Sequence, residues 1–330
     1  MRIDLHTHYM PRDCFGMTDR EGNPCGPGVG RNEAGQEVLV IGKRSGEPSV
    51  AHLCDPERRL EDMDRTGVEM QVISILPAAI SYRVNAEDGL RFCRRHNDAI
   101  AEVVRAYPDR FIGMATVPLQ DINMATSELT RAVRELGFRA VEILSNVEGR
   151  NLDAKEFWPF YQAAQELDIP VYVHPGNVAG ADRMPRYWLA NLIGNPVETT
   201  IAIGSIIFGG VLESFPRLKF LFSHAGGCAP YIRGRWERGY EQVAECRSIP
   251  EPPSKYFSRL YFDTVTHFGP ALAYLVSSVG ADRVVLGSDY PHQMGDLDPV
   301  ATVRNTPGIT AADREKILGK TAAALLNLPA

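Results

Sequence analysis

Short apolar segments alternate along the chain with longer stretches in which apolar residues recur every three or four positions. Eight of the short segments have the length and composition of strands. They are Arg2–His6, Glu69–Leu76, Phe111–Thr116, Phe138–Leu144, Pro170–His174, Leu218–His224, Leu260–Asp263 and Arg283–Ser288. Most are almost continuously apolar, which is typical of strands buried on both faces of a parallel sheet. The pattern therefore predicts an α/β fold.

Amphipathic stretches fill the intervals between the predicted strands. Asp55 followed by Pro56 has the residue types of a helix N-cap and first turn, and predicts a helix that runs through Asp64. Further helices are predicted over Ala86–Ala106, Met124–Leu136, Ala154–Leu167 and Ala311–Leu325. Eight strands with interleaved helices favour a closed, distorted (β/α)8 TIM barrel over an open doubly wound sheet. We expect residues 1–330 to form this one domain.

Two segments interrupt the alternation of strands and helices. Residues 13–50, after the first strand, are rich in Gly, Pro and charge, and contain a predicted hairpin at Glu37–Ile41. Residues 177–196 follow the fifth strand. Long loops at the carboxyl ends of barrel strands commonly carry function. We therefore expect the first insertion to lie over the mouth of an active site.

Composition and charge narrow the class of protein. A net charge of −6 argues against a broad nucleic-acid-binding face, which requires a basic surface. The six cysteines form no CxxC pair, so the sequence contains neither a thiolate zinc motif nor a disulfide framework. The N-terminal residues do not have the pattern of a signal peptide, and the longest apolar stretch, residues 200–212, is too short to span a bilayer. We expect a cytoplasmic protein that binds neither nucleic acid nor membrane.

Two histidines close the first predicted strand, in the order His6-Thr7-His8. Residues two apart on a strand face the same side, so both imidazoles can reach one point. Such a pair suits a divalent first-row metal ion, but two incidental surface histidines give the same motif. The pair alone leaves both interpretations open.

Three further residues favour the metal. His174 ends the fifth predicted strand, His224 ends the sixth, and Asp289 follows the eighth. The carboxyl ends of barrel strands converge on one face, so these side chains are expected near His6 and His8. Neutral imidazoles with a carboxylate favour Zn²⁺, with Mn²⁺, Fe²⁺ and Co²⁺ as alternatives. A histidine that is not a ligand would act as general base or acid on a metal-bound water.

These motifs resemble those of the amidohydrolase superfamily, and more closely those of its subgroup typified by aminocarboxymuconate semialdehyde decarboxylase. The resemblance rests on His6-Thr7-His8, His174-Pro175, His224-Ala-Gly-Gly and Gly-Ser-Asp289-Tyr-Pro. It extends to Asp55–Asp64, Val117–Asp121 and Pro252–Tyr256, and so runs over most of the chain. The subgroup also includes decarboxylases of aromatic acids, hydratases and hydrolases. It implies a TIM barrel, one divalent metal ion and a homodimer.

The resemblance also implies catalytic roles. In the family pattern His6, His8, His174 and Asp289 are the metal ligands. His224 is then the unligated acid or base that works with metal-bound water or hydroxide. In the members that act on aromatic acids, the carboxylate at the position of Asp289 also carries a proton to the ring.

The candidates for substrate contacts are less specific. Arg59 and Lys43 match positions that engage a substrate carboxylate in the type decarboxylase, but a solvated helix charge and a loop lysine are the alternatives. Tyr187 and Trp188 are candidates for stacking on a planar substrate, although an aromatic pair is more often core. His292 stands where the resemblance leads us to expect an apolar residue. It either contacts the substrate or is a loop histidine.

The leading interpretation is a non-oxidative decarboxylase, a carbon–carbon lyase, that acts on an unsaturated or aromatic carboxylic acid. A hydrolase or hydratase that cleaves or hydrates a carbonyl, lactone or alkene fits the same metal, water and histidine unit. A catalytically silent barrel that serves as a scaffold is a third interpretation. It is disfavoured because so many titratable groups converge on one barrel mouth.

Overall fold

Eight parallel strands form the central sheet in this computed structural model, which describes residues 1–41 and 44–328. The strands are Ile3–Tyr9 (β1), Met70–Ile75 (β2), Phe111–Thr116 (β3), Ala140–Leu144 (β4), Pro170–His174 (β5), Lys219–Phe222 (β6), Tyr261–Asp263 (β7) and Val284–Val285 (β8). Each pairs with the next in chain order. All eight predicted strands are confirmed, with ends that differ by at most a few residues.

The sheet closes on itself between β1 and the chain that follows β8. The backbone amide of Leu5 donates to the carbonyl of Leu286 at 2.9 Å, and the amide of Asp289 donates to the carbonyl of His6 at 2.8 Å. Because the closing bonds extend past the short β8, the barrel is distorted at this seam. The prediction of a distorted (β/α)8 TIM barrel is confirmed.

Helices cover the outside of the barrel. They are Val50–Cys54 (α1), Pro56–Thr66 (α2), Ala86–Ala106 (α3), Ile122–Arg134 (α4), Trp158–Glu166 (α5), Asn195–Phe208 (α6), Val211–Ser214 (α7), Ala229–Gln242 (α8), Pro253–Phe257 (α9), Gly269–Val279 (α10), Pro299–Asn305 (α11), Ala311–Glu315 (α12) and Thr321–Leu325 (α13). The Asp55 side chain caps α2 by accepting from the amides of Glu57 and Arg58, as predicted. None of the described helices is long and apolar enough to cross a bilayer.

The strands are apolar on both faces because both faces are buried. On β5, Val171 and Val173 pack outward against the helices, while Tyr172 and His174 face the barrel interior. The lower interior is a second apolar cluster, formed by Ile3, Leu5, Val72, Met114, Leu221 and Val285 and closed by residues of α13. The interior is therefore packed below and polar above.

A bulge in β1 directs the histidines of this strand. Asp4 pairs with Gln71 and Thr7 pairs with Ile73, so β1 carries one extra residue relative to β2. Leu5 joins the lower apolar cluster and the neighbouring His6 ring lies against Tyr172, with 5.3 Å between the ring centroids. The side chains of the consecutive residues Leu5 and His6 thus both point into the barrel. Bulges near functional sites commonly redirect a side chain in this way.

The insertion after β1 forms a sheet of its own. Strands Gly28–Arg31, Glu37–Ile41 and Arg44–Ser49 pair antiparallel, so the predicted hairpin at Glu37–Ile41 is the centre of a three-stranded sheet. Of its described residues, Asn32, Gln36, Glu37 and Val38 line a cavity beside α2. That the insertion also lies over the active-site mouth stays a prediction.

Candidate metal centre

Three buried histidines present the same ring nitrogen to one point. The Nδ1 atom of His6 donates to Asp263 at 2.6 Å, that of His8 to the carbonyl of Ile75 at 3.0 Å, and that of His174 to the carbonyl of Pro175 at 3.0 Å. Each bond leaves the Nε2 atom of the same ring free to accept or to bind a metal. The Nε2 atoms of His6 and His8 lie 3.2 Å apart.

The carboxylate of Asp289 closes the group. Its Oδ1 atom lies 3.2 Å from Nε2 of His6 and 3.1 Å from Nε2 of His8, and its Oδ2 atom lies 3.4 Å from Nε2 of His224. Asp289 and His224 both have a left-handed backbone, with φ angles of 60° and 51°. Such conformations cost a non-glycine residue about 1–3 kcal/mol and recur at functional sites, where the surrounding structure fixes them.

Asp263 lies beneath the centre and fixes two of its parts at once. Its carboxylate accepts from the ring of His6 and from the backbone amides of His224 at 2.9 Å and Ala225 at 2.8 Å. A carboxylate that holds the far nitrogen of a ligating histidine sets its tautomer and orientation. The sequence analysis did not predict this role, because His6 at β1 and Asp263 at the end of β7 are far apart in sequence and their side-chain contact leaves no local pattern.

The charges of these groups are strongly coupled. Burial alone would lower the pKa of His6, but the carboxylates of Asp289 and Asp263 outweigh burial and raise the pKa to about 10. Burial dominates at His8, whose pKa falls to about 4, and lowers the pKa of His174 as well. Burial would raise the pKa of Asp289, but the facing imidazoles, His6 foremost, hold it well below its usual value. A cation at this point would compete with the proton on His6.

The donor set fits a divalent metal ion. One donor atom each from His6, His174, His224 and Asp289 lies within 4.8 Å of all the others, and His8, Asp289 and His292 form an overlapping group with the same property. The Nε2 atom of His174 is buried and has no hydrogen-bond partner among the described residues. A cation satisfies such a nitrogen and separates the facing lone pairs of His6 and His8.

A cleft of about 570 Å³ opens over this centre. His224 and Asp289 form part of its floor, and the His224 side chain is 17% exposed. Its walls are largely apolar and include Leu192, Pro230, Tyr231, Val265, Phe268 and Met294. None of the described residues that line it is Arg or Lys. The cleft therefore joins largely apolar walls to the polar group at its floor.

A family model described as amidohydrolase matches residues 3–328. The chain belongs to the amidohydrolase family. Among its curated relatives, 2-amino-3-carboxymuconate-6-semialdehyde decarboxylase of Dictyostelium discoideum is 34% identical, over 99% of this chain and 92% of the relative. Gamma-resorcylate decarboxylase of Polaromonas sp. strain JS666 is 30% identical, over 79% of this chain and 84% of the relative.

A solved structure resembles this amidohydrolase over nearly its whole length. It is a dihydroxybenzoic acid decarboxylase of Polaromonas sp. JS666 with bound manganese and the inhibitor 2-nitroresorcinol. It has a TM-score of 0.82 and 25% identity, covering 99% of this chain and 96% of the other. The family prediction is confirmed, and these relatives are decarboxylases. A divalent metal ion in this amidohydrolase is supported by the bound manganese of that structure and by the donor set described above.

Arg59 of this amidohydrolase lies outside the barrel wall. Its side chain is completely buried, donates to Gln71 at 3.0 Å and to the carbonyl of His8, and lies over the ring of Tyr290 at 4.6 Å. It does not line the cleft. The guanidinium is occupied behind β1, where it holds the backbone of His8, so its expected grip on a substrate carboxylate stays a prediction. The complete burial of Arg59 does not fit the alternative of a solvated helix charge.

Other candidates for substrate contacts lie away from the cleft. Tyr187 and Trp188 are 74% and 42% exposed and do not line it, so they are neither seen stacking there nor part of the core. Both residues have left-handed backbone angles, with φ of 59° and 58°. Lys43 lies outside the described residues. His292 is next to His8 and Asp289 and lines the cavity beside α2, not the cleft.

Proposed function

We propose that this amidohydrolase is a metal-dependent, non-oxidative decarboxylase of an aromatic or unsaturated carboxylic acid. The observation that carries the proposal is the convergence of the Nε2 atoms of His6, His8 and His174 on the Asp289 carboxylate, at the floor of an apolar cleft. We propose His6, His8, His174 and Asp289 as the metal ligands. The decarboxylase relatives and the neighbour with bound manganese support this proposal.

The reaction replaces a carboxylate by a proton. The bond between the carboxyl carbon and its neighbour breaks, the electron pair stays on the neighbouring carbon, and a proton joins that carbon as CO₂ leaves. When bound, a divalent ion supplies Lewis-acid polarisation of a substrate oxygen and stabilises developing negative charge. The chain itself must orient the acid and deliver the proton.

Two groups of the chain are placed to handle that proton. The Oδ2 atom of Asp289 and Nε2 of His224 are 3.4 Å apart at the floor of the cleft. The Nδ1 atom of His224 has no hydrogen-bond partner among the described residues. The Nε2 atom can take up or release a proton at the floor of the cleft, beside the Asp289 carboxylate, while the backbone amide of His224 stays anchored to Asp263. We propose His224 as the acid and base and Asp289 as its partner.

The cleft favours a substrate with a planar apolar body. Tyr231 and Phe268 offer aromatic faces, and Leu192 and Met294 offer aliphatic ones. We propose dihydroxybenzoate-type aromatic acids as the first substrates to test, with aminocarboxymuconate-type acids beside them. We keep Lys43 as a candidate contact to the substrate carboxylate.

Three finer features belong to the same proposal. We propose Zn²⁺ as the metal, since three imidazoles and one carboxylate suit it, with Mn²⁺, Fe²⁺ and Co²⁺ as alternatives. We propose a homodimer, because the side chains of Tyr187, Trp188, Leu192, Tyr231 and Phe268 are large, apolar and exposed. A cytoplasmic location accords with six free cysteines.

Labelled substrates test the proposal. We expect metal-loaded protein to release labelled CO₂ from at least one carboxyl-¹³C acid in a panel of dihydroxybenzoates, carboxyvanillate and muconate-type acids. His224→Gln should lose that release, whereas His267→Gln, which changes a histidine on the cleft wall, should keep most of it. Incorporation of ¹⁸O from labelled water with the carboxylate retained would overturn the proposal in favour of a hydratase or hydrolase.

A further inference from the structure

His292 lies against the metal centre and lines a different cavity from the cleft. It follows Asp289 by three residues, and its backbone amide donates to the carbonyl of Asp289 at 2.9 Å. Its ring centroid is 5.2 Å from that of His8, in an edge-to-face arrangement. It lines the cavity of about 860 Å³ beside α2, whereas His224 and Asp289 line the cleft. The ring therefore lies beside two of the proposed ligands, His8 and Asp289.

The turn that carries His292 is tightly held. The amide of Gly295 donates to the carbonyl of His292 at 2.8 Å, and the amide of Asp296 donates to the carbonyl of Ser288 at 2.6 Å. A Cβ atom on Gly295 would lie within 3.0 Å of the carbonyl oxygens of His292, Ser288 and Asp289. The backbone is thus packed too closely for the ring to move far from Asp289.

The ring nitrogens of His292 are available for another partner. No hydrogen bond joins the ring to any other side chain or backbone group in the described part of the chain. One donor atom each from His292, His8 and Asp289 lies within 4.8 Å of the other two. That separation is the one expected of neighbouring ligands on a single ion with bonds of about 2.0–2.2 Å.

We infer that His292 is a fifth protein ligand of the same divalent ion, beside His6, His8, His174 and Asp289. The inference rests on the proposed metal centre and adds to it. A role in contacting substrate fits the placement less well, because the wall that His292 lines is not that of the cleft.

A fifth protein ligand reduces the number of coordination positions that the metal leaves open for a substrate. On a six-coordinate ion such as Mn²⁺, four protein ligands leave two open positions and five leave one. With two positions an acid can chelate through two oxygens, and with one it binds through a single oxygen. His292 would therefore restrict the substrate to one point of attachment and leave its orientation to the apolar walls of the cleft.

The test compares His292→Phe with His52→Phe. His52 lines the same cavity but belongs to neither group of donor atoms, so it is the matched control. Metal-free protein is titrated with Mn²⁺ alone, and free Mn²⁺ is followed by electron paramagnetic resonance. Water-proton relaxation then counts the water molecules on the bound ion. We expect His292→Phe to weaken Mn²⁺ binding by at least 10-fold and to add one water, and His52→Phe to change neither.

Two further variants distinguish a failure of this inference from misfolding and from a failure of the proposed metal centre. His292→Asp keeps a ligating group, so it should restore most of the affinity and the original water count. His6→Ala should abolish tight binding, because it removes a ligand that does not depend on His292. Unchanged affinity and water count in His292→Phe would overturn the inference while leaving the centre intact. Tight binding in His6→Ala would overturn the centre itself and the inference with it.

Discussion

The upper and lower halves of the barrel interior are equally buried and chemically opposite. In the lower half, Leu5, Val72, Met114, Leu221 and Val285 are all completely buried and apolar. In the upper half, His6, His8, His174, Asp263 and Asp289 are at most 7% exposed and carry the titratable groups. The change occurs within one or two residues of the same strand, as from Leu5 to His6 or from Tyr172 to His174. Burial therefore does not separate stability from function here, whereas side-chain chemistry at the strand end does.

The two halves should respond differently to substitution. The lower half contributes the transfer and packing free energy of a close-packed core. The upper half holds polar groups whose partners are other polar groups, and two nitrogens, Nε2 of His174 and Nδ1 of His224, lack a partner among the described residues. Such groups destabilise the fold unless they are satisfied by a ligand. Variants of the upper half should lose function with little loss of stability, and variants of the lower half the reverse.

The largest effect is expected at the top of the barrel. Asp289→Asn removes the negative charge that faces three imidazoles and the proposed proton carrier. We expect kcat/KM for CO₂ release to fall by about 1,000-fold or more, equivalent to about 4 kcal/mol, with the midpoint of thermal unfolding nearly unchanged. Asp296→Asn, in the same turn, is the control and should keep most of the activity. A variant at Asp289 that stays active would remove the distinction between the two halves.

In the lower half, a substitution should reduce stability and leave activity nearly unchanged. Leu221→Ala leaves a cavity in the apolar cluster, so we expect the free energy of unfolding to fall by about 3 kcal/mol in urea titrations. The kcat/KM of the folded fraction should stay within about twofold of the original. Leu297→Ala changes a leucine that is 77% exposed, and should cost less than about 0.5 kcal/mol. An equal loss in both variants would show that the cluster is not the stabilising core.

A substitution beneath the ligands should weaken the metal more than the fold. Asp263→Asn keeps the shape of the side chain but loses the charge that holds Nδ1 of His6. We expect a 10- to 100-fold loss of metal affinity, equivalent to about 1.4–2.7 kcal/mol, measured by competition with a coloured chelator. Affinity equal to that of the original protein would mean that Asp263 acts only on the backbone amides of His224 and Ala225.

The smallest effect is expected at the boundary of the two halves. Glu142, paired in register with Tyr172, is completely buried, and its carboxyl oxygens have no hydrogen-bond partner in the described part of the chain. Burial raises its pKa from 4.5 to about 8. Between these values the unfolded chain releases the proton while the folded protein keeps it, so Glu142 makes the fold less stable as pH rises through this window.

Glu142→Gln should remove that penalty. In metal-free protein we expect the variant with Gln to have the higher free energy of unfolding. The difference between the two proteins should grow from pH 4.5 to pH 8 and then level off at about 1–2 kcal/mol. Water that reaches an ionised carboxylate would relieve part of the full shift, which keeps the margin small. The difference in unfolding free energy between the two proteins is followed across this pH range. A margin independent of pH would show that Glu142 is ionised throughout.

The sequence predicted the strands well because they are buried on both faces and therefore almost uninterrupted by polar residues. It also placed His6, His8, His174, His224 and Asp289 together, since the carboxyl ends of barrel strands must converge. It missed α6 and α10, whose apolar and small residues run too evenly for a helical period to stand out, and it also missed the more polar α8. The predicted alternation was thus sufficient for the architecture.

Contacts across the barrel could not be predicted from local patterns. The reach of Arg59 to the carbonyl of His8 depends on a long side chain passing behind β1, which neither a local pattern nor a resemblance by position shows. The hold of Asp263 on His6 depends on the register between strands far apart in sequence. The approach of His292 depends on the closed turn after Asp289. In each case the partner is set by tertiary packing.

The most direct test of the account is the release of labelled CO₂ as metal-free protein is titrated with a divalent metal ion. The substrate is the carboxyl-¹³C acid that the panel identifies, and Zn²⁺ and Mn²⁺ are titrated separately. The account predicts no release without metal, a rate that rises linearly to one equivalent per chain, and no further rise beyond it. Release that is already complete in the metal-free protein, or that needs no metal at any stage, would contradict it.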